Sequence, residues 1–295
     1  PFRALVADMV PNEQRTLGYS IQALLINIGA VIGSILPFVL TNVIGLENTA
    51  PKGEVAPTVT WAFYIGASAL FLTVLWTVIR TKEYAPAEYN RYKGLTAAVA
   101  PAVKPSLFKR LGDFWRLFIN MPKTMRQLAI VQFFSWFSLF IMWVYTTPAI
   151  TQYIWGIEAK WFDSDYLHSL ETIPPEIAAA KGAAGDWVGI IFAAYSLFAA
   201  LFSIVLTRIA NRLGRKLTYS LSLLAGGLGY MSFILFQNAD IVHVDLLITQ
   251  VDVPQGALDL LIPMIGIGIA WAAILAMPYA ILAGSLPADK TGVYM

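Results

Sequence analysis

Cysteine is absent from the 295 residues and histidine occurs only at His168 and His243. Disulfides and thiolate chemistry are therefore excluded. No His, Cys, Asp or Glu run has metal-ligand spacing, so neither a zinc centre nor nucleophilic catalysis has its parts, and no enzyme is expected. Charge is also scarce, at 13% of residues, whereas hydrophobic residues make up 58% and mean hydropathy is +0.65. Such a chain cannot solvate itself as a soluble globule and reads as an all-α integral membrane protein.

Apolar runs of about twenty residues, the length that crosses hydrocarbon, lie near 16–45, 59–80, 127–154, 187–207, 217–237 and 259–283. Residues 1–9 read as the end of an earlier helix and Gly292–Met295 as the start of a later one. The chain opens on Pro1 and stops inside an apolar run, so it is expected to be a fragment.

The turn Arg208-Ile-Ala-Asn-Arg-Leu-Gly-Arg-Lys216 carries four positive charges between two apolar runs and must stay outside hydrocarbon. Gly214 suits a tight reversal, and Arg212, Arg215 and Lys216 can meet carboxylates or lipid phosphates. Alternating the loops puts 11–15, 81–126, 208–216 and 284–291 on one side. Of 20 Lys and Arg, only Lys52, Lys160 and Lys181 fall on the other. The basic side is expected to be cytoplasmic. The charge marks topology, so nucleic acid is not an expected partner. The external segment 155–186 is acidic and holds Trp161, Phe162 and Tyr166. These aromatics suit packing over the external mouth, but the preferred reading is a solvated loop.

Residues 81–126, with ten Lys and Arg when Arg80 is included and with Pro86, Pro101, Pro105 and Pro122, cannot span. They read as a central cytoplasmic loop, with an amphipathic piece around Leu107–Ile119 on the lipid surface. The division expected is 1–80, 81–126 and 127–295.

Candidate cavity residues follow from polarity inside spans. Gln22 and Asn27 must find hydrogen-bond partners within the bundle or face a watery cavity. In the run 127–154, Gln132, Trp136, Trp143 and Thr147 share one helical face. Two indoles, an amide and a hydroxyl suit a sugar, whose C–H patches lie on aromatic faces while its hydroxyls take hydrogen bonds. The competing reading turns the aromatics to lipid. Pro148 is expected to kink the external end. Trp271 and Tyr279 are further ligand candidates, and Gly29 with Gly33 predicts close helix packing. Arg3 and Asp8 are the charges nearest a membrane interior, and their spacing keeps them from facing each other.

Asn211-Arg-Leu-Gly-Arg-Lys216 resembles the D-R-x-G-R-[KR] loop of major facilitator superfamily transporters, a conformational latch, with Asn211 in place of the usual Asp. The stretch Pro1–Gly18 has a gapped echo at Pro278–Gly292, both at cytoplasmic turns, as a duplicated transporter requires. The resemblance implies a helical bundle of which this chain covers the end of span four to the start of span eleven. Asp8 and Arg15 are similar to the E-x6-R latch of sugar porters, while Arg3-Ala-Leu-Val-Ala-Asp8 resembles the R-A-L-x-x-D stretch of sucrose–proton symporters, near the glycoside–pentoside–hexuronide cation symporters. In that branch the aspartate takes part in proton coupling, so Asp8, with Arg3 and Arg15, is either a coupling or a latch group. Phe133-Phe-Ser-Trp136-Phe resembles the branch's seventh-span start. Thr146-Thr-Pro-Ala149 departs from its T-D-x-M-G, and the eighth span lacks its Arg and acid. The pattern is closer to bacterial importers of maltose-type disaccharides.

The resemblance implies a monomeric carrier in the bacterial inner membrane, with a sugar and lipid as partners. Its coupling ion would be a proton or another cation, with no further cofactor. A passive sugar channel, a non-transporting sugar sensor and a carrier of sucrose or another small polar solute are the alternatives.

Overall fold

The computed structural model describes residues 10–11, 13–51, 54–80, 88, 115–116, 119, 121–170, 172–245 and 250–284. Arg3, Asp8, the two cut spans expected at the ends, the second copy of the repeated turn beyond Gly284 and nearly all of the amphipathic piece expected at Leu107–Ile119 lie outside these residues.

Among the described residues, six helices are long and apolar enough to cross a membrane. In chain order the helices are α1 (Arg15–Asn42), α2 (Pro57–Arg80), α3 (Lys123–Tyr153), α4 (Ser164–Ser169), α5 (Pro175–Leu213), α6 (Arg215–Ser232), α7 (Gln255–Asp259) and α8 (Pro263–Ala283). All but α4 and α7 correspond to the apolar runs, because a backbone in hydrocarbon must satisfy its own hydrogen bonds. Pro148 lies within α3, which continues past it to Tyr153.

Helix α8 is the central post. Its sequence is apolar on every side, and most of its residues are buried between α1, α5 and α6. Small residues bring the backbones together. A Cβ built at Gly266 would lie 2.4 Å from the Ala225 carbonyl oxygen of α6, and one at Gly268 would lie 2.5 Å from that of Tyr195 in α5. Helix α1 buries a stripe of Thr16, Tyr19, Ser20, Ala23 and Asn27, spaced three or four residues apart, against α5 and α8. Helix α2 touches α1 and exposes almost every side chain. Among the described residues Gly29 and Gly33 do not make the expected close packing: nothing in another element lies within 4 Å of a Cβ at either. The close approach of α1 is made from the opposite partner, where Gly189 of α5 would place a Cβ 2.6 Å from the Ser34 carbonyl oxygen.

The acidic end differs from expectation in two places. Residues 175–186, expected as the end of a solvated loop, begin α5, which has 39 residues. At 1.5 Å per residue it is about 58 Å long, nearly twice the hydrocarbon thickness of about 30 Å, so the turns before Trp187 project beyond the spanning part. Against this projection the preceding segment folds back. Lys181 Nζ donates to the Trp161 carbonyl at 3.0 Å and lies over the Phe162 ring, while Trp161 meets Tyr166 edge to face. Desolvation lowers the Lys181 pKa.

The second difference lies in 238–258, expected as a loop between apolar runs: it holds a hairpin of β1 (Ile241–Asp245) and β2 (Gln250–Pro254), antiparallel, with His243 opposite and paired to Asp252. Its base closes through the backbone bonds Gly256 to Asn238 and Gln255 to Asp240. Trp187 Nε1 donates to the Ala257 carbonyl at 2.8 Å and ties this end of the chain to α5.

Candidate functional site

Near the middle of the bundle, α3, α5 and α8 converge on an aromatic cluster. Trp136 and Trp143 come from one face of α3, Tyr195 from the inward face of α5, and Trp271 from α8. Trp271 is the hub, with ring centroids 5.8 Å from Trp136, 5.9 Å from Trp143 and 6.4 Å from Tyr195, all edge to face. Trp136 and Trp143 meet at 6.2 Å. Edge-to-face packing sets positive ring edges on negative faces and holds the rings in fixed orientations.

The polar edges of this cluster are sparse and specific. Trp143 Nε1 donates to the Tyr195 hydroxyl at 3.3 Å. The Trp271 indole N–H is buried and has no partner among the described residues. A buried donor left unpaired is costly, so one that persists in a packed centre is a mark of a ligand position. Trp136 keeps 37% of its surface exposed, so one side of the cluster is open.

Of the residues singled out in the sequence, the structure gathers Trp136, Trp143 and Trp271. Gln132 is turned away toward α6, where its Oε1 accepts from the Tyr219 hydroxyl at 3.3 Å. Thr147 lies half-buried a turn beyond Trp143, and its carbonyl accepts from Thr151. Tyr279 packs on Tyr19 of α1 at 6.0 Å, two turns from Trp271 toward the basic end. On α1, Gln22 Oε1 and Asn27 Oδ1 are buried acceptors without partners among the described residues, although Asn27 Nδ2 donates to the Ala23 carbonyl. Tyr195 was not singled out. Nothing in its local sequence marks it, and only the approach of α5 to α3 gives it a role.

A separate cavity of about 660 Å³ opens between α3 and α6. It uses the opposite face of α3, including Ile141, Met142 and Tyr145, and its walls are overwhelmingly apolar.

At the basic end, two guanidinium groups cap α8. Arg15 Nη1 donates to the Ala283 carbonyl at 2.8 Å, and Arg215 Nη1 to the Ala280 carbonyl at 2.8 Å. Both place positive charge at the negative end of a helix dipole. Gly214 has φ of 85° and joins α5 to α6, the tight reversal expected of it. Asn211, Arg212 and Lys216 are exposed.

At the acidic end, the half-buried Asp186 of α5 faces the end of α1. Its Oδ2 accepts from Asn48 Nδ2 at 2.9 Å. Burial raises its pKa above the usual aspartate value, against the opposing influence of the Asn48 hydrogen bond and of the nearby polar side chains of Asn42 and Thr41.

A multi-pass bundle with buried polar and aromatic groups between its helices, tied at one end by Arg15 and Arg215 to α8 and at the other by Trp187 to Ala257, fits the architecture of a membrane carrier. The family model of the Major Facilitator Superfamily matches residues 1–295, and the chain belongs to that superfamily of secondary transporters. No match was found among curated proteins or among solved structures.

Proposed function

We propose that the protein imports a di- or oligosaccharide, with a maltose-type α-glucoside favoured, by proton symport and alternating access across a bacterial inner membrane. The observation that carries this reading is the cluster of Trp136, Trp143, Tyr195 and Trp271, with the buried, unpartnered Trp271 N–H among the rings. A pyranose offers C–H patches to the rings and hydroxyls to the N–H, and none of the four residues carries a formal charge at neutral pH that would select an ion. The apolar cavity on the other face of α3 is a poorer fit, because its lining gives few groups that could meet several hydroxyls.

In this reading residues 1–80 end the first six-helix half, 81–126 form the central cytoplasmic loop, and 127–295 begin the second half. The basic end, with the 208–216 turn, is cytoplasmic. The packing of α1 on α5 and α8 is then the contact between halves that must rock. Gln22 and Asn27 supply acceptors from the α1 side, Gln132, Thr147 and Tyr279 flank the path, and Asn211, Arg212, Gly214, Arg215 and Lys216 form the latch. Asp8 is either the proton carrier or a latch group with Arg3 and Arg15.

The test is sugar-evoked pH change in vesicles holding the whole protein, with maltose and sucrose added separately and wild type compared with Asp8→Asn. Alkalinisation outside on adding maltose, lost in the variant, supports symport through Asp8. Alkalinisation that survives the variant returns Asp8 to the latch. No response to either sugar rejects the proposed substrate and coupling together.

A further inference from the structure

The seam between α1 and α5 has a carboxylate at one end that the sugar site does not use. Asp186 lies just before Trp187, where α5 leaves the spanning part, and faces the last turn of α1 and the connection that follows. Asn48 Nδ2 donates to it at 2.9 Å, and Asn42 and Thr41, whose side chains donate to the Phe38 and Pro37 carbonyls of α1, are its other polar neighbours. All three are neutral. Close packing keeps the seam tight on both sides of it: a Cβ at Gly182 would lie 3.0 Å from Asn48 Nδ2, and one at Gly189 would lie 2.6 Å from the Ser34 carbonyl oxygen.

No cation among the described residues compensates this charge. Along α1 the only charged residue is Arg15, at the far end. The described part of the α1–α2 connection contributes Glu47 and Glu54, and its one cation, Lys52, lies outside the described residues. On α5 itself Glu176 lies in the first turn, and Lys181 is engaged by the Trp161 carbonyl and the Phe162 ring. Lys160 pairs with Glu158, His243 with Asp252, and Asp259 accepts from Gln255. Asp186 forms no ion pair with any of them.

We propose that Asp186 is a proton-binding site at the external end of the α1–α5 seam, loaded when α1 closes on α5 and emptied to the outside when the two ends part. A protonated carboxyl can stay in this half-buried place, donating to Asn48 Oδ1 once that amide turns over, whereas an ionised one is drawn to water. The sign follows from linkage. Burial raises the pKa of the closed form above that of a solvated aspartate, so protons bind more tightly to the closed form and stabilise it. Closure is thus favoured below the raised value and lost as pH rises through it. A carrier that must take a proton from outside before it closes would gain obligatory order from such a group.

This rests on the alternating-access reading, and not on the identity of the sugar. The chain has no cysteine, so spin labels can be placed by Val43→Cys and Ala183→Cys, both exposed, in the whole protein in vesicles. The label distance is expected to be short at acid pH, with a longer population growing as pH rises through a midpoint above that of a solvated aspartate. Asp186→Asn should hold the short distance throughout. Asn48→Ala, which removes a donor to the ionised form, should move the midpoint up by about half a unit to one unit, and it serves if the first variant does not fold.

A wild-type distance independent of pH would overturn the proposal. So would a titration unchanged by Asp186→Asn, a midpoint unmoved by Asn48→Ala, or a closure that follows sodium at fixed pH. Sugar-evoked proton movement decides the symport reading separately. Its absence alongside a titrating distance rejects symport and keeps the Asp186 site; its presence alongside a fixed distance does the reverse.

Discussion

Arg15 Nη1, at the start of α1, donates to the carbonyl of Ala283, the last residue of α8, across 268 positions of sequence. A charge at a helix C-terminus contributes about 0.3–1 kcal/mol when exposed and about 2 kcal/mol when partly buried. This contact spans the two segments expected to rock and must break if the basic end opens. Arg15→Gln should therefore shift the population toward opening at that end. A loss of about 1 kcal/mol corresponds to about a fivefold change. The labelling rate of Ser20→Cys, buried beside Thr207 on the same seam, by a thiol reagent reads it. An unchanged rate would show that the contact does not hold the end closed.

Gly189→Ala should loosen the same seam from the other side. The new methyl meets a backbone oxygen, which cannot swing away as a side chain can. Overpacking of this kind costs about 1–3 kcal/mol. Gly33→Ala on α1 meets nothing within 4 Å and is the matched control. Thermal unfolding in detergent should separate the two, with Gly189→Ala melting lower and Gly33→Ala at or slightly above wild type, since Ala favours helix over Gly.

Trp271→Phe removes the unpartnered N–H and keeps an aromatic ring at the hub. Because no protein partner is lost, stability should fall by less than a typical core truncation of about 3–5 kcal/mol. Transport is the discriminating readout. If the N–H serves the sugar, the KM for uptake should rise about tenfold, the loss of one good hydrogen bond of about 1.4 kcal/mol. Equal KM values in a folded variant would remove Trp271 from the site.

Trp187→Phe tests the tie at the acidic end. It leaves the buried Ala257 carbonyl without its donor, which costs about 1–3 kcal/mol. Deuterium uptake should rise at 250–260 before global melting changes, because α7 and the foot of β2 are held to α5 there. Protection equal to wild type would show that the hairpin base closes on its own bonds from Gly256 and Gln255.

The spanning helices were legible because hydrocarbon imposes a length and a composition that any reader of sequence can count. The basic turn at 208–216 and the reversal at Gly214 were legible for a related reason: charge cannot cross, and φ of 85° suits glycine. The first three turns of α5 were less so. Pro175-Glu-Ile-Ala-Ala-Ala carries proline at the helix start and a run of the best helix former, but its polarity read as loop. The hairpin had its own signal in the alternation of Val242 and Val244 with Val251 and Val253, which short strands make weakly. Asp186 read as one acid among many on its side, and Tyr195 as one aromatic among many.

The sequence by itself determined that the chain enters a membrane, where its spanning segments lie along the chain, and which ends carry the positive charge. Those are properties of each segment against its solvent. Tertiary structure alone decided that Trp271 sits among Trp136, Trp143 and Tyr195, that Arg15 reaches Ala283, and that Asp186 meets Asn48. The reason is physical. A helix such as α8, apolar on all sides, has no polar face to reveal its orientation, and lipid is as apolar as a neighbouring helix. Which faces meet is then settled by shape, through glycines that admit a backbone and by the few polar groups that must find one another.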